Sequence, residues 1–260
     1  MANGEGSVLI TGATGGLGRE FARQYAAEGR DVMLVARNAS ALEGLAAELR
    51  GDYGVRADFV ACDLSEPAAP HALYDAVRAK GVAVDILVNN AGFAVDAEFV
   101  ESDPARQRSL VEVNIAALTE LSRLFGADMA ARGRGGILNV ASVAAFMPGP
   151  YMSTYYASKA YVLSLTHALH AELAPRGVHV SALCPGPVRT PFWDNADAGH
   201  TLLARMAVAP DRIVSTGRRA LRANRPKVVC GIAWKAITFA VRFIPRQWAA
   251  DVALLLQKPK

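Results

Sequence analysis

Cysteine is scarce in this chain of 260 residues: Cys62, Cys184 and Cys230 are an odd number, lie far apart, and stand at no metal-type spacing. That argues against a disulfide framework and a zinc-type site, and reduced thiols in a cytoplasmic setting are the expectation. Charge is modest too. Charged residues make up 20% against 52% hydrophobic, which excludes intrinsic disorder and favours a packed globular protein. No basic-then-apolar leader opens the sequence, since Met1 to Gly6 is short and polar, so secretion is not expected. The best apolar run, Val228 to Ile244, is interrupted by Lys235 and Arg242 and closed by Pro245, too short and too charged for a bilayer span. Internal repeats and low-complexity linkers are also missing.

Acid is nearly absent from one end. From Arg212 to Lys260 eleven Lys/Arg face a single acid, Asp251, so this segment carries +10 in a chain whose total is +4. Such asymmetry suits an anionic partner such as a membrane surface or a phosphorylated carrier, or else is a solvated helix face. Nucleic acid is not expected as a partner.

Short runs rich in Val, Ile and Leu alternate with helical patterns as far as about residue 230. Strands are predicted at Ser7 to Ile10, Val32 to Val35, Val55 to Ala61, Val84 to Val88, Gly136 to Val140 and Val178 to Leu183. Helices are predicted at about 17–27, 41–50, 67–79, 104–132 in two stretches, and 155–174. Strands without polar alternation fit a parallel sheet covered on both faces, and the regular β-α order implies a doubly wound α/β fold. Residues 1–226 are read as one domain, with an irregular insertion at about 191–210. Residues 227–260 are read as a final strand and a basic, apolar helical tail, with Trp248, Val252, Leu255 and Leu256 on one face.

Ligands in such sheets bind beyond the carboxyl ends of the strands. There the sequence places Thr11, Arg37, Asp63, Asn90, Ser142 and Pro185, one after each of the six strands. After strand one, Thr11-Gly12-Ala13-Thr14-Gly15-Gly16-Leu17-Gly18 forms a turn that can seat a pyrophosphate on the amides opening the next helix. No Gly-Lys-Ser/Thr follows, which excludes a triphosphate loop of the Walker type. Strand two ends in Val35-Ala36-Arg37-Asn38 with no acid until Glu43. A carboxylate there would hold a ribose 2′-hydroxyl, whereas an arginine fork suits a 2′-phosphate, so NADP(H) is expected over NAD(H).

Tyr155 and Lys159 are four residues apart on a predicted helix, which gives them one face. The lysine charge is expected to favour the phenolate and bring the tyrosine into range for proton exchange. Ser142 can donate a hydrogen bond to a substrate oxygen where charge develops. The neighbouring Tyr156 meets Ala160 at the same spacing and is read as packing. His167, His170 and His179 lack metal-type partners, and no metal site is expected.

Taken together, these residues resemble the short-chain dehydrogenase/reductase family, in its single-domain branch. The matching elements are Thr11-Gly12-x-x-x-Gly16-x-Gly18, Asp63, Asn89-Asn90-Ala91-Gly92, Asn114, Ser142, Tyr155-x-x-x-Lys159 and Pro185-Gly186-x-Val188-x-Thr190. The resemblance covers residues 7 to about 190 and implies a Rossmann-like fold with a Ser-Tyr-Lys site. It implies that Asn114 supports a water-mediated proton path to Lys159, and that Lys159 also binds the nicotinamide ribose. By the same likeness Asp63, with Leu64 beside it, receives the adenine, Asn90, Ala91, Gly92, Pro185 and Gly186 touch the cofactor, and Val188 and Thr190 hold the carboxamide. Asn90 is also given a structural share, tying strand four to its neighbour. The family's substrate lid falls at Pro191 to Pro210, and its members commonly form dimers or tetramers, so a homo-oligomer is expected.

Phe192, Trp193, Leu202, Leu203 and Met206 in the lid, with Phe93, Phe146, Met147 and Met152 nearer the site, predict an apolar pocket. The substrate side is accordingly assigned to Ser142, Phe146, Tyr155, Phe192 and Trp193. The reaction expected is hydride transfer between NADP(H) and an apolar ketone, fatty-acyl or steroid-like carbonyl or its alcohol. A 3-oxoacyl-carrier-protein reductase and a non-catalytic dinucleotide-sensing protein are the alternatives. The basic tail leaves room for peripheral contact with a membrane surface.

Overall fold

The structure is a computed structural model that describes residues 6–188 and 208–257. Its strands are β1 (Ser7–Thr11), β2 (Val32–Ala36), β3 (Ala57–Ala61), β4 (Val84–Asn89), β5 (Gly135–Val140), β6 (Val178–Cys184) and β7 (Lys227–Val229). They pair in parallel in the order β3-β2-β1-β4-β5-β6-β7, so the direction of winding reverses between β1 and β4. Between the strands run α1 (Gly16–Ala26), α2 (Ala39–Tyr53), α3 (Ala69–Ala79), α4 (Pro104–Val111), α5 (Leu118–Arg132) and α6 (Ser153–Leu173). The chain continues through α7 (Pro210–Arg222) before β7 and ends in α8 (Ile232–Ala240) and α9 (Arg246–Gln257).

The sheet is covered on both sides, as its apolar strands require. On one face Phe21, Leu42, Leu45, Leu49, Ile213 and Val214 from α1, α2 and α7 pack against Val8, Ile10, Val32 and Leu34. On the other, Leu73, Val77, Leu121, Phe125 and Met129 from α3 and α5 pack against Leu9, Met33, Leu87 and Ile137. A buried polar ladder crosses the second face. Asn89 Nδ2 donates to Asn139 Oδ1 and to Ser122 Oγ, each at 2.9 Å, and Asn139 Nδ2 donates to Thr166 Oγ1 at 3.0 Å. This ladder fixes β4, β5, α5 and α6 relative to one another close to the carboxyl edge of the sheet.

Three elements differ from expectation. Helix α7 was not foreseen: Arg212, Arg218, Arg219 and Arg222 mask a stripe of Ile213, Val214, Gly217, Ala220 and Leu221, all buried. The two stretches predicted over 104–132 are one continuous rod, α4 joined to α5 by a π-helical turn, Glu112–Ala117. The helical tail read over 227–260 is two helices, α8 and α9, separated by a 3-10 turn at Val241–Phe243 and Pro245.

Candidate functional site

The crevice at the switch point between β1 and β4 opens into a cavity of about 1260 Å³, large enough for a dinucleotide and a second molecule. At its floor, Gly12 turns the chain out of β1 with φ +63°, a conformation that favours glycine. A side chain at Gly18 would collide with the Gly12 carbonyl, so Gly18 is a packing position beneath the turn rather than part of the cavity wall. Gly15 begins α1 with no side-chain cap and no acid in the first turn. Thr14, Gly15, Gly16 and Leu17 border the cavity, where the helix dipole favours an anion. Asn90 braces this turn, its Nδ2 donating to Thr11 O at 2.9 Å and Gly12 O at 3.2 Å. Thr11 Oγ1 returns the tie by accepting the amides of Asn90 and Ala91, each at 3.0 Å.

At one end of the cavity stand Arg37, after β2, and Asp63 with Leu64, after β3. Arg37 is exposed. The Asp63 carboxyl accepts from Ser65 N at 3.0 Å and Ser65 Oγ at 2.8 Å. It is held below the ordinary carboxylate range chiefly by that amide, against a smaller effect of burial, with help from the Ser65 hydroxyl and the Arg37 charge. A charged acceptor and an exposed guanidinium fork thus sit side by side.

Towards the other end lie Ser142, Tyr155 and Lys159, with Ala91, Gly92, Pro185, Gly186 and Val188 around them. Ser142 follows β5 and caps the short 3-10 turn Val143–Phe146, its Oγ accepting from Ala144 N at 3.1 Å. Its hydroxyl is hydrogen-bonded to Tyr155. Burial pushes the Tyr155 phenol up to about 12, opposed by that hydrogen bond and reinforced slightly by Tyr156. Lys159 Nζ donates to Val140 O at 2.8 Å and lies 5.7 Å from the centre of the Tyr155 ring. Burial lowers Lys159 to about 8, against a small opposing effect of Cys184. The expectation of a tyrosine acidified by lysine is not met in this structure: burial dominates at Tyr155, and the Lys159 ammonium is engaged with a backbone carbonyl.

Asn114 is buried in the π-helical turn. Its Oδ1 accepts from Phe93 N at 3.1 Å, and its Nδ2 donates to Phe93 O at 3.0 Å and Ser158 Oγ at 3.1 Å. The side chain therefore moors the Gly92–Phe93 turn to α6 and makes no bond to Lys159. Tyr156 packs edge-on against Tyr155 with ring centres 6.1 Å apart, in keeping with its reading as a packing residue.

Phe146 corrects another expectation. It lies outside the cavity wall, packed against the cluster of Leu118, Val143 and Val162, with Lys227 Nζ 5.4 Å from its ring centre. Thr190, Phe192, Trp193, Leu202, Leu203 and Met206 lie outside the described residues, as does most of the 191–210 lid. The tail supplies walls that the sequence did not reveal. Trp234, Ile237, Val241 and Ile244 come from α8 and the turn after it, and Trp248 and Val252 from α9. The Trp234 indole lies so close to Gly186 that a side chain there would strike it. Arg106 and Ser109 of α4 complete the rim. Among the described residues no cluster of metal-ligating side chains occurs, and no helix is long and apolar enough to cross a membrane.

The set of an amide-lined turn, an arginine after β2 and a charged acceptor after β3 fits a dinucleotide. Comparison with known proteins gives the same class. The family model described as short chain dehydrogenase matches residues 7–201. Galactitol 2-dehydrogenase (L-tagatose-forming) of Cereibacter sphaeroides is 41% identical over 184 residues, 70% of this chain and 70% of that protein. A very-long-chain 3-oxoacyl-CoA reductase of Anas platyrhynchos is 32% identical over 70% of this chain but only 59% of its own length. The chain spans about half the length of three other such reductases. Among solved structures, a short-chain dehydrogenase of Sphingobium yanoikuyae in complex with NADPH superposes with a TM-score of 0.83 and 33% identity, covering 95% of this chain and all of that one. With its parallel sheet, its glycine turn and this breadth of agreement, the chain belongs to the short-chain dehydrogenase/reductase family of oxidoreductases.

Proposed function

We propose that this protein reduces an apolar carbonyl compound with NADPH, or oxidises the corresponding alcohol with NADP. The observation that carries the reading is one cavity joining Ser142, Tyr155 and Lys159 to the glycine turn and Arg37. Thr14 to Leu17 and Arg37 would hold the dinucleotide, which when bound would supply or accept the hydride at the substrate carbon. Tyr155 gives its phenolic proton to the carbonyl oxygen as that oxygen becomes a hydroxyl, and Ser142 turns its own proton towards the same oxygen. Lys159 keeps positive charge beside the phenolate that results. Asn114 contributes through its main chain to the proton path that restores Tyr155, since its side chain is committed elsewhere.

Preference for NADP(H) rests on Arg37, which offers a two-pronged donor to a 2′-phosphate, and on the NADPH in the related structure. The apolar substrate class rests on Phe93, Met147, Met152, Trp234, Ile237 and Trp248 in the cavity wall. The dehydrogenase acting on galactitol shows that a hydrophilic substrate is compatible with the fold, but these side chains offer a polyol few partners. The test is Tyr155→Phe. It should lower NADPH-dependent ketone reduction by at least about 100-fold while the fluorescence titration of bound NADPH is unchanged. Undiminished turnover would remove Tyr155 from the proton step.

A further inference from the structure

The tail presents two opposite apolar faces, and only one of them meets the cavity. In α8 and the turn that extends it, Trp234, Ile237 and Val241 point into the site. Ile232, Phe239 and Phe243, spaced by seven and four residues, fall on the opposite side of the helix. They stand 87%, 60% and 75% exposed, and Phe239 and Phe243 stack edge-on 5.4 Å apart. On α9, Leu255 is 81% exposed in line with Trp248 and Val252. Trp248 and Val252 are at once exposed and part of the cavity wall, so the apolar surface runs without interruption into the cavity mouth.

Charge decides what covers this surface. From Lys227 to Arg246 the tail has four cations, Lys227, Lys235, Arg242 and Arg246, and no acid. Lys235 and Arg242 are exposed beside the Ile232, Phe239 and Phe243 stripe. A second copy docked on the same patch about a two-fold axis would bring like cations together. An anionic lipid surface instead matches both parts, taking the apolar side chains among its acyl chains and the cations among its headgroups. Both helices are too short to cross the bilayer, so the contact is confined to one leaflet.

We propose that α8 and α9 dock this protein on the surface of an anionic bilayer, with the cavity mouth at the lipid boundary, so that a lipid-dissolved carbonyl substrate enters from the membrane. The entry of substrate rests on the apolar-carbonyl reading above; the docking does not. The full chain is sedimented with vesicles of phosphatidylcholine alone and with vesicles of equal parts phosphatidylcholine and phosphatidylglycerol. It should bind the second and not the first, and release at high salt. The double variants Phe239→Ser/Phe243→Ser and Lys235→Glu/Arg242→Glu should each weaken binding by about tenfold or more. Both should retain turnover of a water-soluble ketone, because none of the four residues borders the cavity. Failure of the intact chain to bind anionic vesicles overturns docking, as does binding that survives both variants. Light scattering that shows a dimer dissolved by the serine variant, with vesicle binding unchanged, assigns the patch to a second copy and overturns it equally. Since sedimentation needs neither cofactor nor turnover, loss of the redox reading would leave this result standing.

Discussion

Burial favours the uncharged form of both Tyr155 and Lys159, raising the phenol to about 12 and lowering the ammonium to about 8. In the reduction proposed above the phenol must start protonated and the lysine charged. The sign follows from these values. Below about pH 8 both conditions hold; above it Lys159 loses its proton first, while Tyr155 keeps its own until about 12. The rate of ketone reduction with saturating NADPH should therefore be level on the acid side and fall as pH rises through about 8, by up to about tenfold per unit. A rate that climbs across that range would contradict the assignment. Arg37 carries a separate prediction at the other end of the cavity. Arg37→Asp should move the ratio of kcat/KM for NADPH over NADH by at least about tenfold towards NADH, because a carboxylate repels the 2′-phosphate and accepts from a 2′-hydroxyl. An unchanged ratio would place the phosphate elsewhere.

Among the elements, the strands were the most legible part of the sequence. A strand covered on both faces must be apolar throughout, so Val8 to Ile10, Val32 to Val35 and Leu87 to Val88 announce themselves without any partner in view. The residues at their ends are then fixed by topology, which is why Arg37, Asp63, Asn90 and Ser142 could be brought to one edge from spacing alone. The π-helical turn at Glu112–Ala117 could not, since no local pattern signals it; it is set by Asn114 holding Phe93 and Ser158 across the chain. The ladder of Asn89, Asn139 and Thr166 was equally hidden, because buried partners are chosen by tertiary proximity. Asn139→Leu would leave Asn89 without one acceptor and Thr166 without one donor. Urea unfolding should show a loss of about 1–3 kcal/mol; a smaller loss would mean that the ladder is not a determinant of how β4 meets β5.

For the whole molecule, what remained illegible was the destination of the last thirty residues. Their composition was plain, but a helix with apolar residues on two sides gives no single direction to dock, so the stretch from Val228 to Ile244 could be read as interior packing or as a surface contact. The structure gives it both relations: Trp234 closes over Gly186 while Phe239 faces away. Substrate-facing assignments suffered from the same cause, since Phe146 is as apolar as Trp234 and only the fold distinguishes a core position from a wall.

The cavity is assembled from both halves of the polypeptide. Its glycine-turn end is lined from Gly12 to Asn90, whereas Trp234 and Trp248 come from the tail. Because these segments lie far apart in the sequence, changes in the tail can reshape one end of the cavity and leave the other as it is. A chain built this way can change what its cavity admits while the turn at Gly12 and its brace at Asn90 stay intact.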